Sequence, residues 1–186
     1  MAHERATLAA VAARLIIESE LTDWSLARRK AAAELGLDAR RAGQPSDQEI
    51  IAEIQAWHAL YGGPEWQAQL RAQREYALDA MRALAAFQPV LVGPVAEGWA
   101  HAASEARIEL TPDNPKEVEY ALLDLGVDFT AQQTRDGATH IEVVDGDWPL
   151  RFVLRERGRA PDPRFRHRLT LAQLQQLLAE GPSTTG

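Results

Sequence analysis

Apolar residues recur at helical spacing through the first half of the chain, then switch to the two-residue period of strands. Over 6–18, Leu8, Val11, Leu15 and Ile16 form one amphipathic stripe. Thr22 or Asp23 can cap a second helix that runs to about Leu35, and Gly36 would end it in the left-handed conformation. After a break at Gly43 and Pro45, Ser46 and Glu49 are spaced as a capping box. The helix it opens should turn Ile50, Ile51, Ile54, Trp57 and Tyr61 inward, and Gly62, Gly63 and Pro64 should stop it. A long fourth helix is predicted over 65–87, with Trp66, Leu70, Tyr76 or Ala77, Met81 and Leu84 inward, and Pro89 closes the helical half.

Residues 90–92 read as a short buried strand, and 107–110 alternate polar with apolar. The turn at 111–115 leads into a helix over 116–125, stopped by Gly126. Three alternating segments follow, at 128–134, 139–144 and 150–155. Asp136-Gly137 and Asp145-Gly146-Asp147 separate them and signal hairpins. A last helix is predicted over 170–180, before a Gly/Pro/Ser/Thr tail. The pattern predicts an α+β protein with an N-terminal helical region (1–63), a small mixed-sheet core (64–180) and a flexible tail (181–186).

With 186 residues and 46% hydrophobic content, the chain can build a packed core. It has no cysteine, which removes disulfides, thiolate metal sites and a cysteine nucleophile. No apolar run approaches the roughly 20 residues of a membrane helix, and the N-terminus lacks a signal-peptide core. The expectation is a cytoplasmic protein without membrane contact, bacterial in its Ala- and Arg-rich usage. A net charge of −7 speaks against general nucleic-acid binding. The charge is uneven, however: residues 155–168 hold six arginines against Glu156 and Asp162, a local +4. Such a segment can meet a phosphate or an acidic partner, or can be a solvated surface loop.

Candidate chemistry centres on VLVGPVAEGWAHAASEARIEL, residues 90–110. It runs from an apolar strand into Gly93-Pro94, then Gly98-Trp99-Ala100, then a strand carrying Arg107-Ile108-Glu109. This outline resembles the active-site region of the nucleotidyltransferase (polymerase-beta) superfamily, in which a strand leads to Gly-Ser, a small-residue turn and a strand bearing Asp-x-Asp. The predicted element order agrees with that superfamily's core. Residues 12–37 also resemble the start of small bacterial nucleotidyltransferase-like proteins, a likeness that extends through 91–100 and the helix after it and brings a fold label and no established activity.

The resemblance implies two divalent cations held by carboxylates at i and i+2, which point to the same sheet face. Here those positions are Arg107 and Glu109, and the third ligand position falls near Arg151. A cation there opposes Mg²⁺: like charges about 4 Å apart repel by about 4 kcal/mol at an effective dielectric of about 20. Pro94 replaces the family serine and offers neither a hydroxyl nor an N–H. The resemblance therefore implies a degenerate site, with no metal ligands. In its place the alternation puts Arg151, Val153 and Arg155 on one strand face. If Arg107 and Glu109 share it, that face can bind an anion, or Glu109 can simply pair with the arginines on a solvated sheet. A rescue through Glu105 with Asp145 or Asp147 is hampered by the i, i+4 separation of Glu105 and Glu109, about 13 Å along a strand.

Other candidates are weaker. None of the five histidines pairs at metal-ligand spacing. His58 reads as a helix-surface residue, and His101 follows the Gly-Trp-Ala turn without an identifiable nucleophile or orienting partner. Trp99 replaces a small residue of the motif, so it either fills the nucleotide pocket or stacks on a ligand. Residues 12–37 also resemble the first helices of helix-turn-helix repressors, but 38–44 offer no clear recognition helix.

The expectation is thus a binding or regulatory module for an anionic small molecule, a nucleotide or a protein partner. Its ligand-binding candidates are Gly93, Trp99, Arg107, Glu109, Arg151 and Arg155. No cofactor is expected; Mg²⁺ enters only under the alternative of an active nucleotidyltransferase with a rearranged site. DNA binding through the N-terminal helices is the third reading. The apolar residues of the helical half would also suffice for a homodimer.

Overall fold

Of the chain, the computed structural model describes residues 2–19, 21, 23–37, 43–134 and 137–180. Thr22, most of the segment weighed as a recognition helix (38–42), Asp136 and the 181–186 tail lie outside the described residues. The protein is α+β, with seven α-helices and a six-stranded mixed sheet among the described residues. It divides into two compact units: Met1–Gln67 with His101–Ala103, and Ala68–Ala100 with Ser104–Gly186.

The first unit is helical. Helices α1 (Ala2–Ser19), α2 (Trp24–Glu34) and α3 (Asp47–Tyr61) pack with α1 against both others. Leu8, Ala12 and Ile16 of α1, Ala27 and Ala31 of α2, and Ile50 and Ile54 of α3 are fully buried. Local sequence sets the helix ends. Asp23 accepts from the Leu26 N–H, and Ser46 and Glu49 form the reciprocal capping box. Arg5–Glu49 (2.9 Å) and Arg28–Asp47 tie the helices at their surface.

Two positions of α3 differ from expectation. His58 is buried at 6% exposure, whereas Tyr61 is 67% exposed. The reason is spacing: His58 lies four residues beyond Ile54 and continues the stripe that Ile50 and Ile54 begin. Its flat ring stacks on Trp66 (centroids 4.0 Å, interplanar 9°) and meets Trp57 edge-on at 5.3 Å.

Helix α4 (Gly63–Ala83) starts in the first unit and runs into the second, where a 3-10 turn (Ala85–Phe87) replaces the end of the predicted helix. The sheet then comprises β1 (Val90–Val92), β2 (Ala106–Leu110), β3 (Phe129–Gln133), β4 (Thr139–Val143), β5 (Leu150–Leu154) and β6 (Leu169–Thr170). Their order is β3-β4-β5-β2-β1-β6, with β2 and β5 parallel and the other neighbours antiparallel. Between β1 and β2, Pro94–Glu97 form a single helical turn, α5, where the sequence reads as a plain bend. Helices α6 (Pro115–Asp124) and α7 (Leu171–Ala179) complete the unit, the latter opened by a capping box of Thr170 and Gln173.

Strand register sorts the two faces of the sheet. Leu91, Ile108, Phe152 and Ile141 are successive partners across β1, β2, β5 and β4, and all four are essentially fully buried. On the opposite face the corresponding row is Val92, Arg107, Arg151 and Glu142. Two arginines therefore stand side by side in the middle of the sheet. No helix among the described residues is long and apolar enough to cross a membrane.

Candidate functional site

The polar sheet face brings together four of the six candidate residues: Arg107 and Glu109 from β2, Arg151 from β5 and Arg155 just beyond it. Glu109 stands two residues from Arg107 and shares its face, yet only 4% of it is exposed. One carboxylate oxygen accepts from Arg155 Nη1 at 3.4 Å, the other from Arg168 Nη2 at 2.5 Å. Both oxygens of the position that the family outline assigns to a metal ligand are thus engaged by guanidinium groups. Arg168 directly precedes β6 and carries no helical or strand periodicity that would mark it in the sequence.

Arg151 bridges two further carboxylates, Glu142 at 2.5 Å and Glu105 at 3.0 Å. Burial pushes the Glu105 pKa up, opposed by the charges of Arg151 and Arg107. Arg107 lies beneath Phe165, with its guanidinium carbon 5.4 Å from the ring centroid. Burial lowers its pKa below the usual arginine range, while Glu105 pulls it back up. Among the described residues, Arg107 Nε, Arg151 Nε and Arg168 Nη1 are buried and have no hydrogen-bond acceptor.

The other two candidates, Gly93 and Trp99, flank α5. Gly93 caps the end of β1 at φ +79, a conformation that disfavours any side chain. A Cβ there would also lie 3.6 Å from the Phe165 ring, so the aromatic residue sits against the motif turn. Trp99 is 6% exposed, and its indole N–H donates to Glu97 Oε2 at 2.8 Å. The other Glu97 oxygen accepts from the Arg166 backbone N–H at 3.0 Å, anchoring the basic segment. Half-buried Arg74 on α4 donates to the Val95 and Ala96 carbonyls (3.0 and 3.4 Å) and so finishes α5.

The basic segment is therefore folded onto the sheet face through Phe165, Arg166 and Arg168. Several of its charges are locally paired: Arg157 with Asp113 at 2.9 Å and Arg164 with Asp162 at 2.6 Å. Arg164 hydrogen bonding holds the Asp162 carboxyl at a pKa of about 2, partly opposed by burial.

The remaining acidic candidates lie elsewhere. Asp145 and Asp147 line a cavity floored by Leu150 and Phe152, on the apolar side of the sheet. They do not join Glu109, and the described residues contain no group of three His, Asp or Glu placed to hold a metal ion. His101 groups with the helical unit, where its Nδ1 accepts from the Ala103 N–H at 3.3 Å.

No protein-family model and no curated protein matches the chain. A solved structure described as "Structural Basis for the Activity of a Cytoplasmic RNA Terminal U-transferase" aligns over 61% of the chain at 16% identity, with a TM-score of 0.32. The chain covers 30% of that protein's length. A likeness of this strength says nothing about activity.

Proposed function

We propose that the chain is a nucleotidyltransferase-like protein that has lost metal-dependent transfer and binds a nucleotide through its phosphates on the polar sheet face. The observation that carries this reading is the conversion of the carboxylate position into an arginine cluster. Glu109 is held by Arg155 and Arg168, and three buried guanidinium nitrogens have no acceptor among the described residues. A buried donor without a partner costs about 1–3 kcal/mol, which an incoming oxyanion recovers. Guanidinium forks match phosphate oxygens geometrically, and the half-buried Phe165 lowers the local dielectric around Arg107. The arginines supply the positive charge for which an active relative would use metal.

Calorimetric titration with ATP, GTP, CTP and UTP, in EDTA and in Mg²⁺, tests this. Saturable binding in EDTA is expected, weakened about tenfold or more in Arg107→Ala, whose guanidinium lies over Phe165, and in Arg151→Ala. Binding that requires Mg²⁺ and nucleotidyl transfer abolished by Glu109→Gln would replace this reading with that of an active enzyme. Absence of binding under both conditions would refute it.

A further inference from the structure

We infer that the cavity on the apolar side of the sheet is a binding site for a small organic cation, an amine carrying an apolar body. This inference is independent of the nucleotide reading, since it concerns the opposite sheet face. The cavity has a volume of about 390 Å³, within the roughly 300–1,000 Å³ typical of small-molecule sites. Leu84, Leu122, Leu150 and Phe152 contribute its buried apolar wall. Asp79, Asp128, Asp145 and Asp147 also line it, Asp79 in an ion pair with Arg82 at 3.3 Å, and among the described residues no lysine, arginine or histidine is part of the lining.

Charge and shape both narrow the occupant. An anion would be repelled by the aspartates, and a neutral apolar molecule would cover them without replacing their hydration. An amine buries its apolar body on the leucines and Phe152 and presents its ammonium to the carboxylates. Tyr76 adds a polar atom at the same place. Burial raises the pKa of its phenol, with Asp147 adding to the effect, so it stays a neutral hydroxyl able to accept from an ammonium. Gly146 makes that position available: a Cβ there would lie 2.1 Å from Tyr76 Oη and force the ring to move.

The surroundings favour a small occupant over a protein. Of the exposed apolar residues on and after α6, only Leu125 lines the cavity. Tyr120 and Leu123 are exposed but lie round the helix from the buried Val118 and Leu122. Leu125 alone of these exposed apolar residues reaches the cavity, which leaves a wall sized for a small molecule.

The test is titration of the full chain, by calorimetry and by NMR, with phenethylamine, its neutral counterpart 2-phenylethanol and the anion 3-phenylpropanoate. Phenethylamine is expected to saturate and to bind about tenfold tighter than the alcohol, with the carboxylate not binding. The double variant Asp145→Asn with Asp147→Asn, both exposed loop positions, should erase the preference for amine over alcohol. Arg107→Ala should leave amine binding unchanged while it weakens nucleotide binding, which keeps the two sites distinguishable. Equal affinity for amine and alcohol, no saturation by phenethylamine, or a preference that survives the double variant would each overturn the assignment.

Discussion

Glu109 carries the central conflict of this chain at the scale of one residue. Its spacing from Arg107 places it on the face where the nucleotidyltransferase outline expects a metal ligand. Its surroundings commit it to Arg155 and Arg168 instead. The carboxylate is buried and the two arginines are mostly buried, so removing the negative charge leaves both cations without compensation. Glu109→Gln should therefore lower unfolding stability by about 3 kcal/mol, read from the denaturant midpoint at unchanged slope. A surface pair of the same chemistry would cost about 1 kcal/mol or less. An unchanged midpoint would mean that the clamp contributes nothing to the fold, and that Glu109 is free to serve other ligands.

At the scale of elements, local signals and long-range contacts divide the labour. Ser46 and Thr170 each accept from the N3 backbone N–H while Glu49 and Gln173 reach back to the cap. Ser46→Ala and Thr170→Ala should each cost about 1 kcal/mol in thermal or chemical unfolding. Signals of this kind were legible because they act within four residues: the caps at Asp23 and Ser46 form where the spacing puts them, and Leu8 and Ile16 of the α1 stripe are buried, although Val11 and Leu15 are only half-buried and Ala12 and Ala13 take the core positions between them. The turn at Asp145-Gly146-Asp147 joins antiparallel β4 and β5, as its composition implies. What was not legible depends on partners distant in sequence. Arg168 reaches Glu109 across 59 positions, and Phe165 lies against Gly93 because the basic segment folds back over the sheet. No periodicity records that return. Strand β6, two residues long, is too short to show a period, and Arg74 reads as one more charged residue of α4 until α5 is in place beside it.

Across the whole molecule, the two units respond to acid through different groups. In the helical unit His58 stacks on Trp66 and meets Trp57 edge-on, and neither ring nitrogen has an acceptor or donor among the described residues. Burial, with nearby His101 adding to it, lowers its pKa from 6.5 to about 4. The folded state thus binds a proton more weakly than the unfolded chain. The associated stability is complete above pH 6.5 and is lost as pH falls toward 4. In the sheet unit Asp162, held at about 2 by Arg164, stays ionised through that whole window. Between pH 7.5 and pH 5 the wild type should lose about 2 kcal/mol more than His58→Phe, whose ring can keep the stack on Trp66 without gaining a charge. Amide exchange, corrected for intrinsic rates, should locate the loss in α1, α2 and α3 more than in β2 and β5. If His58→Phe shows the same pH slope as the wild type, the acid sensitivity arises from the carboxylates and not from the buried imidazole. If the exchange change falls on β2 and β5, it arises at the Glu105, Arg107 and Arg151 cluster, whose members already differ from their ordinary protonation energies or pair across strands.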